Sequence, residues 1–184
     1  MALRINEIFY SLQGEGVHTG CPAVFVRLSG CNRRCPFCDT DFHSFTEMTE
    51  AEIVDAVRAY PAEIVIITGG EPALQLTSSL VSALHAAGRR VHVETNGSLP
   101  LPPEVDWVTC SPKEPPYAIE RIDELKLVLT DGCDPEAVAA QLPAAAYYCL
   151  QPLSCTNTDA CVDYIKAHPR WRLSLQTHKL ISIR

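Results

Sequence analysis

The run Ile64-Val65-Ile66-Ile67 constrains the fold more than any other stretch. Four successive β-branched apolar residues with no polar alternation describe a strand covered on both faces. Gly69-Gly70 closes it. Such a strand needs a layer above and a layer below, which helices on a parallel sheet provide. The rest of the chain repeats the theme. Ala23–Leu28 reads as a strand, as do Arg90–Thr95, Asp106–Cys110, Glu124–Leu129, Tyr147–Leu150 and Arg172–Gln176. Glu7–Leu12 opens on a short apolar run and enters a Gly-flanked polar loop.

Helical patterns lie between these runs. Thr49-x-x-Glu52 reads as a capping box, followed by Ile53, Val54, Val57 and Tyr60 at helical spacing and ended by Pro61. The spacing predicts a second helix over Leu74 to Ala87, with Gly88 just past its end. Asp134-Pro135 opens a short helix to Leu142, and Asn157 to His168 forms another. The Pro-rich stretch before Asp106 carries no helical pattern, and residues 118–123 offer little. The expected fold class is therefore α/β: an incomplete (β/α)6-type partial barrel of mainly parallel strands, with some helices reduced or missing. One domain over residues 1–184 is expected.

A second feature carries the chemistry. Cys31, Cys35 and Cys38 fall in the pattern C-x3-C-x2-C on a loop fed by the Ala23–Leu28 strand. Thiolates this close can bind one soft metal centre. A closed zinc site wants four ligands, and Cys21 or His43 could supply the fourth in a zinc-binding interaction module. Three thiols alone suit a cubane iron–sulfur cluster with one iron left open. The chain holds 9 cysteines, an odd number, which argues against a secreted disulfide scaffold. Cys133, Cys149, Cys155 and Cys161 contain no C-x2-C pair and read as ordinary thiols. Further on, Thr68-Gly69-Gly70-Glu71-Pro72 brings two glycines, which allow close approach to the backbone, and Glu71, which can accept from an ammonium group at the mouth of the site.

The cysteine pattern resembles the signature of the radical S-adenosylmethionine (radical SAM) superfamily, and the Gly-Gly-Glu-Pro segment resembles the element that holds the methionine amine there. Ser11-Leu12-Gln13-Gly14-Glu15-Gly16, Arg27, Cys38-Asp39-Thr40, Ser111-Pro112-Lys113 and Gln176-Thr177-His178-Lys179 narrow the likeness. Over Glu7 to Arg184 the chain is similar to the 7-carboxy-7-deazaguanine synthases of queuosine and 7-deazapurine biosynthesis. The resemblance implies a radical SAM partial barrel. It also implies a lyase that converts 6-carboxy-5,6,7,8-tetrahydropterin to 7-carboxy-7-deazaguanine by hydrogen abstraction at C6, ring contraction and loss of ammonia.

The resemblance further implies a [4Fe-4S] cluster on Cys31, Cys35 and Cys38, S-adenosyl-L-methionine, and Mg2+ held by Thr40. The cofactor would be bordered by Phe37, Cys38, Asp39, Gly70, Glu71, Ser111, Pro112, Lys113, Gln151, Pro152, Leu153 and Ser154. The pterin would meet Leu12, Gln13, Gly14, Glu15, Arg27, Thr68 and the carboxylate of Arg184. An Arg on an otherwise apolar strand suits a substrate carboxylate, or else a local acid. No side chain is singled out as catalytic, because the radical arises at the cluster. A homodimer and an electron donor such as flavodoxin or ferredoxin are also implied. A glycyl-radical-enzyme activase is the competing reading within the superfamily; it would leave the pterin-site residues without a role.

Composition narrows the partners. The net charge of −7 argues against a nucleic-acid backbone as partner, since that binding rests on Lys and Arg. No apolar window reaches the length of a membrane span. The N-terminal residues lack the pattern of a secretory signal, so a cytoplasmic location is expected.

Overall fold

The computed structural model describes residues 2–38 and 44–184. Among these residues nine strands form one open sheet in the order β3-β1-β2-β4-β5-β6-β7-β8-β9. They are β1 (Ala2–Leu12), β2 (Pro22–Leu28), β3 (Thr46–Thr49), β4 (Ile64–Gly69), β5 (Arg90–Thr95), β6 (Trp107–Cys110), β7 (Glu124–Leu129), β8 (Tyr147–Pro152) and β9 (Trp171–Leu173). From β2 onward to β9 each neighbouring pair is parallel, while β1 runs antiparallel to both β2 and β3. The helices are α1 (Glu50–Arg58), α2 (Ser78–Ala86), α3 (Pro135–Ala139), α4 (Thr158–Ala167) and α5 (Thr177–Leu180). No helix follows β5 before β6 or β6 before β7, so the half-barrel is thinly covered there. No described helix is long and apolar enough to cross a membrane.

The β4 pattern resolves as its sequence requires. Val65 and Ile67 face the helices in the main core, and Ile66 faces the concave side with Phe9, Ala23 and Phe25. Phe9 and Phe25 pair across β1 and β2 and stack at 4.9 Å. On the helical side Leu3, Leu28, Ile53, Ile67, Leu80, Leu84, Leu125 and Leu150 are almost fully buried, each contributing about 1.5–3 kcal/mol of burial. The Thr49 capping box is complete: Thr49 Oγ1 accepts from the Glu52 amide, and Glu52 Oε2 accepts from the Thr49 amide at 2.7 Å.

Two boundaries differ from expectation. The helix expected from Leu74 starts at Ser78, because Thr77 caps it by accepting from the Leu80 amide. Pro72–Leu74 forms a separate 3-10 turn. The end of α2 does carry Gly88, at φ +75°, where the Arg89 amide reaches back to the Leu84 carbonyl. The last strand stops at Leu173, since Ser174 and Gln176 turn their side chains into the polar interior. Strand β3 and helix α5 had no expected counterpart.

Candidate active site

The loops at the C-terminal ends of the parallel strands, together with the loop after β1, surround one basin of about 1580 Å3. Ligand sites of α/β sheets lie at this end of the strands. Cys31, Cys35 and Cys38 all line the basin on the loop after β2. None of the three is in a disulfide; Cys31 and Cys35 are half-buried and Cys38 is exposed. Burial pushes the Cys31 and Cys35 thiols up. Gly70 packs directly under this loop: a Cβ there would run into the Gly30 carbonyl and the Cys31 side chain. The Glu71 amide donates to the same Gly30 carbonyl at 3.0 Å. Cys21, the alternative zinc ligand, does not line the basin. Among the described residues no three His, Cys, Asp or Glu side chains gather closely enough to hold a single ion. Asp39, Thr40 and His43 lie outside the described residues.

Phe37, Gly70, Ser111, Lys113, Gln151, Pro152, Leu153 and Ser154 also line the basin. Lys113 lies 5.6 Å over the Phe37 ring and donates to Ser111 Oγ at 2.9 Å. Burial lowers its pKa. Pro112 faces a smaller adjoining cavity behind the cysteine loop instead. Ser154 and Cys155 both hold left-handed backbone, at φ 46° and 62°. For non-glycine residues this costs about 1–2 kcal/mol each. Asn157 braces the turn, accepting from the Leu153 amide at 2.8 Å and donating to the Leu129 carbonyl at 2.9 Å.

Glu71 departs from the expectation of an acid at the mouth. It is fully buried and does not line the basin. Its Oε1 accepts from Thr95 Oγ1 at 2.7 Å and the Ala73 amide at 3.0 Å, and its Oε2 accepts from the Asn96 amide at 2.7 Å. Burial pushes its pKa up against those donors. Asn96 in turn donates to Asn32 at 3.0 Å, so Glu71 ties the loops after β4 and β5 to the cysteine loop.

The other half of the basin is polar. Leu12, Gln13, Gly14, Glu15, Arg27, Thr68 and Arg184 all line it. Lys126, buried on β7, donates to Glu15 at 2.6 Å and to Glu94 on β5 at 3.2 Å. Gln13 donates to Glu94 at 2.9 Å, and Gln176 donates to Glu15 at 2.9 Å. Burial alone would raise the Glu15 pKa, but the Lys126 charge and hydrogen bond bring it to about 2. Burial opposes the Lys126 charge, yet the two carboxylates hold its pKa above the ordinary value. Gly14 fits because a Cβ would strike the His178 ring. Arg27 meets a local acid: its Nε donates to Glu7 Oε1 at 2.9 Å across the β1–β2 ladder. Glu7 also pairs with the Arg184 guanidinium, and the Arg184 main-chain oxygen accepts from Ser11 Oγ at 2.5 Å.

Glu94, Lys126, Thr95 and Asn96 escaped the sequence reading. A signal was present for the first two. Arg90-x-His92-x-Glu94 and Glu124-x-Lys126 place polar residues at every second position of otherwise apolar strands, on the concave face.

Comparison with known proteins bears on the family and the fold. Residues 25–126 match the model of the Radical SAM superfamily. The chain is 56% identical to a 7-carboxy-7-deazaguanine synthase of Bacteroides thetaiotaomicron, and the alignment covers 100% of both chains. It is 41% identical to the enzyme of that name from Burkholderia multivorans, again over 100% of each. The crystal structure of QueE from Escherichia coli superposes with a TM-score of 0.84 at 31% identity, covering 97% of this chain and 95% of that one.

Proposed function

The chain belongs to the 7-carboxy-7-deazaguanine synthase family of the radical SAM superfamily, and on that premise we propose how its residues divide the work. The reaction is the conversion of 6-carboxy-5,6,7,8-tetrahydropterin to 7-carboxy-7-deazaguanine with loss of ammonia. The observation that carries the reading is the sharing of one basin by the three thiols and the Gln13–Glu15–Lys126–Glu94 network. An activase would have no use for that network.

The donor set suits the cluster: three cysteines line the basin from one loop and none is in a disulfide. Cys31, Cys35 and Cys38 hold the [4Fe-4S] cluster. When bound, the cluster and S-adenosylmethionine supply the 5′-deoxyadenosyl radical that removes the substrate hydrogen. Phe37, Gly70, Ser111, Lys113 and Gln151 through Ser154 border the cofactor, and the family likeness assigns Asp39 to it as well. Pro112 shapes the Ser111–Lys113 turn. Glu71 supports the site from beneath by fixing the loops that line it.

Gln13 and Glu15 present an acceptor-rich edge to the pterin, and Lys126 keeps Glu15 ionised for that purpose. Leu12, Gly14 and Thr68 complete the walls. Arg27 takes the substrate carboxylate with the fork edge not engaged by its Nε bond to Glu7, and the Arg184 carboxylate meets the pterin. Thr40 would hold Mg2+ through its hydroxyl, a single protein ligand, as suits an ion that keeps much of its hydration. The protein acts as a single-domain subunit of a homodimer in the cytoplasm and takes electrons from flavodoxin or ferredoxin; family membership supports these points. The test is anaerobic reconstitution with iron and sulfide, then incubation with the pterin, S-adenosylmethionine and a reductant. Formation of 7-carboxy-7-deazaguanine is expected. A protein that takes up no iron, or that leaves the pterin unchanged, overturns the reading.

A further inference from the structure

We propose that Ser174 is a positioning residue that couples the cofactor side of the basin to the substrate loop. Ser174 is buried just after β9, its amide bonded to the Leu150 carbonyl at 3.0 Å. Its hydroxyl donates to Gln151 Oε1 at 2.9 Å and accepts from the Gly16 amide at 2.9 Å. Gln151 lines the basin among the residues assigned to the cofactor, so the inference rests on that assignment. Gly16 follows Glu15 and holds φ +69°, a left-handed conformation in which a Cβ would strike Glu124.

A hydroxyl has one proton. Spending it on Gln151 fixes where its lone pairs point, and here they point at Gly16. Adjacent hydrogen bonds of this kind polarise and orient one another. Glu124 adds a second pin one residue further on, accepting from the Val17 amide at 3.2 Å. The backbone at residues 16–17 therefore has little slack, and Glu15 inherits its place from it. When a cofactor draws on the Gln151 amide, the orientation of the Ser174 hydroxyl responds, and Gly16 with it. Occupying one half of the basin thus tightens the loop that receives the other ligand.

The reconstituted enzyme tests this by hydrogen exchange of the loop peptide spanning residues 13–21, with and without S-adenosylmethionine. The cofactor is expected to slow exchange in the wild-type loop although none of its residues is assigned to touch it. Ser174→Ala should abolish that response. The affinity for the pterin, measured by calorimetry with and without S-adenosylmethionine, should lose roughly two- to tenfold of its enhancement, the size of one buried hydrogen bond. A merely structural role would weaken both ligands and leave the enhancement intact. Ser174→Thr, which keeps the hydroxyl, should restore the loop response. Unchanged protection in Ser174→Ala, or no protection in the wild type, overturns the coupling; the wild-type measurement stands even where a variant fails to fold. If neither ligand binds at all, it is the functional assignment that fails.

Discussion

Lys126→Met tests the polar half of the site most sharply. Lys126 is 3% exposed and holds Glu15 at 2.6 Å and Glu94 at 3.2 Å. The Glu15 carboxyl stands at about 2 against an ordinary 4.5. At about 1.4 kcal/mol per pH unit, that drop corresponds to about 3 kcal/mol. Because the folded carboxyl is the stronger acid, this stability is fully present above pH 4.5 and is lost as the pH falls towards 2. Removing the cation leaves two carboxylates in the basin wall with no compensating charge, for which about 3–5 kcal/mol is expected. A chain of this size loses about 2–4 °C of Tm per kcal/mol. Anaerobic scanning calorimetry at pH 7.5 should therefore show Tm lowered by about 6–20 °C. In the variant, burial governs Glu15 and raises its pKa. Protonation then relieves the strain, so the gap to wild type should narrow from pH 7.5 to pH 5. The double variant Lys126→Met/Glu15→Gln should recover much of the loss. A gap below about 1 kcal/mol, or one that does not change with pH, would refute the assignment of Lys126 as counter-charge to Glu15.

Replacing Cys31, Cys35 or Cys38 singly with Ala should leave the far-ultraviolet circular dichroism unchanged and bring bound iron and sulfide close to zero by chemical analysis. Gly70→Ala forces apart the loops after β2 and β4, with about 1–3 kcal/mol of overpacking; iron retention on gel filtration should fall, and wild-type retention would count against the tight contact. Burial, with His18 and Arg90 nearby, lowers the His92 pKa to about 4. The unfolded chain protonates this group near 6.5 and the folded one refuses the proton, so stability should decline by up to about 3 kcal/mol as the pH drops from 6.5 to 4. In His92→Phe that slope should flatten, as followed by urea denaturation across the range.

What could be read from the chain depended on whether the signal was local. The β-branched run of β4 and the Thr49–Glu52 capping box are encoded within a few residues, and both formed as expected. Thr77 is a local signal too, but the apolar spacing from Leu74 masked it. Strand β3, Thr-Glu-Met-Thr, has no strand pattern of its own and exists because Ala2–Ile5 pairs with it. The same distinction runs through the site. Cys31, Cys35 and Cys38 announce themselves within eight positions, whereas Lys126 and Glu15 lie 111 residues apart in the chain. The burial of Glu71 is non-local in the same way: its two neighbouring glycines suggest the mouth of the site, and the residues that enclose it, Thr95 and Asn96, come from the next strand.

An open sheet, unlike a sealed barrel, has two raw margins where foreign strands can stitch on. Here those margins are β3, four residues long, and β9, three residues long. Little ladder is offered at either border, which is one way natural proteins discourage runaway pairing. A foreign strand meeting either border would find only three or four residues of backbone to extend.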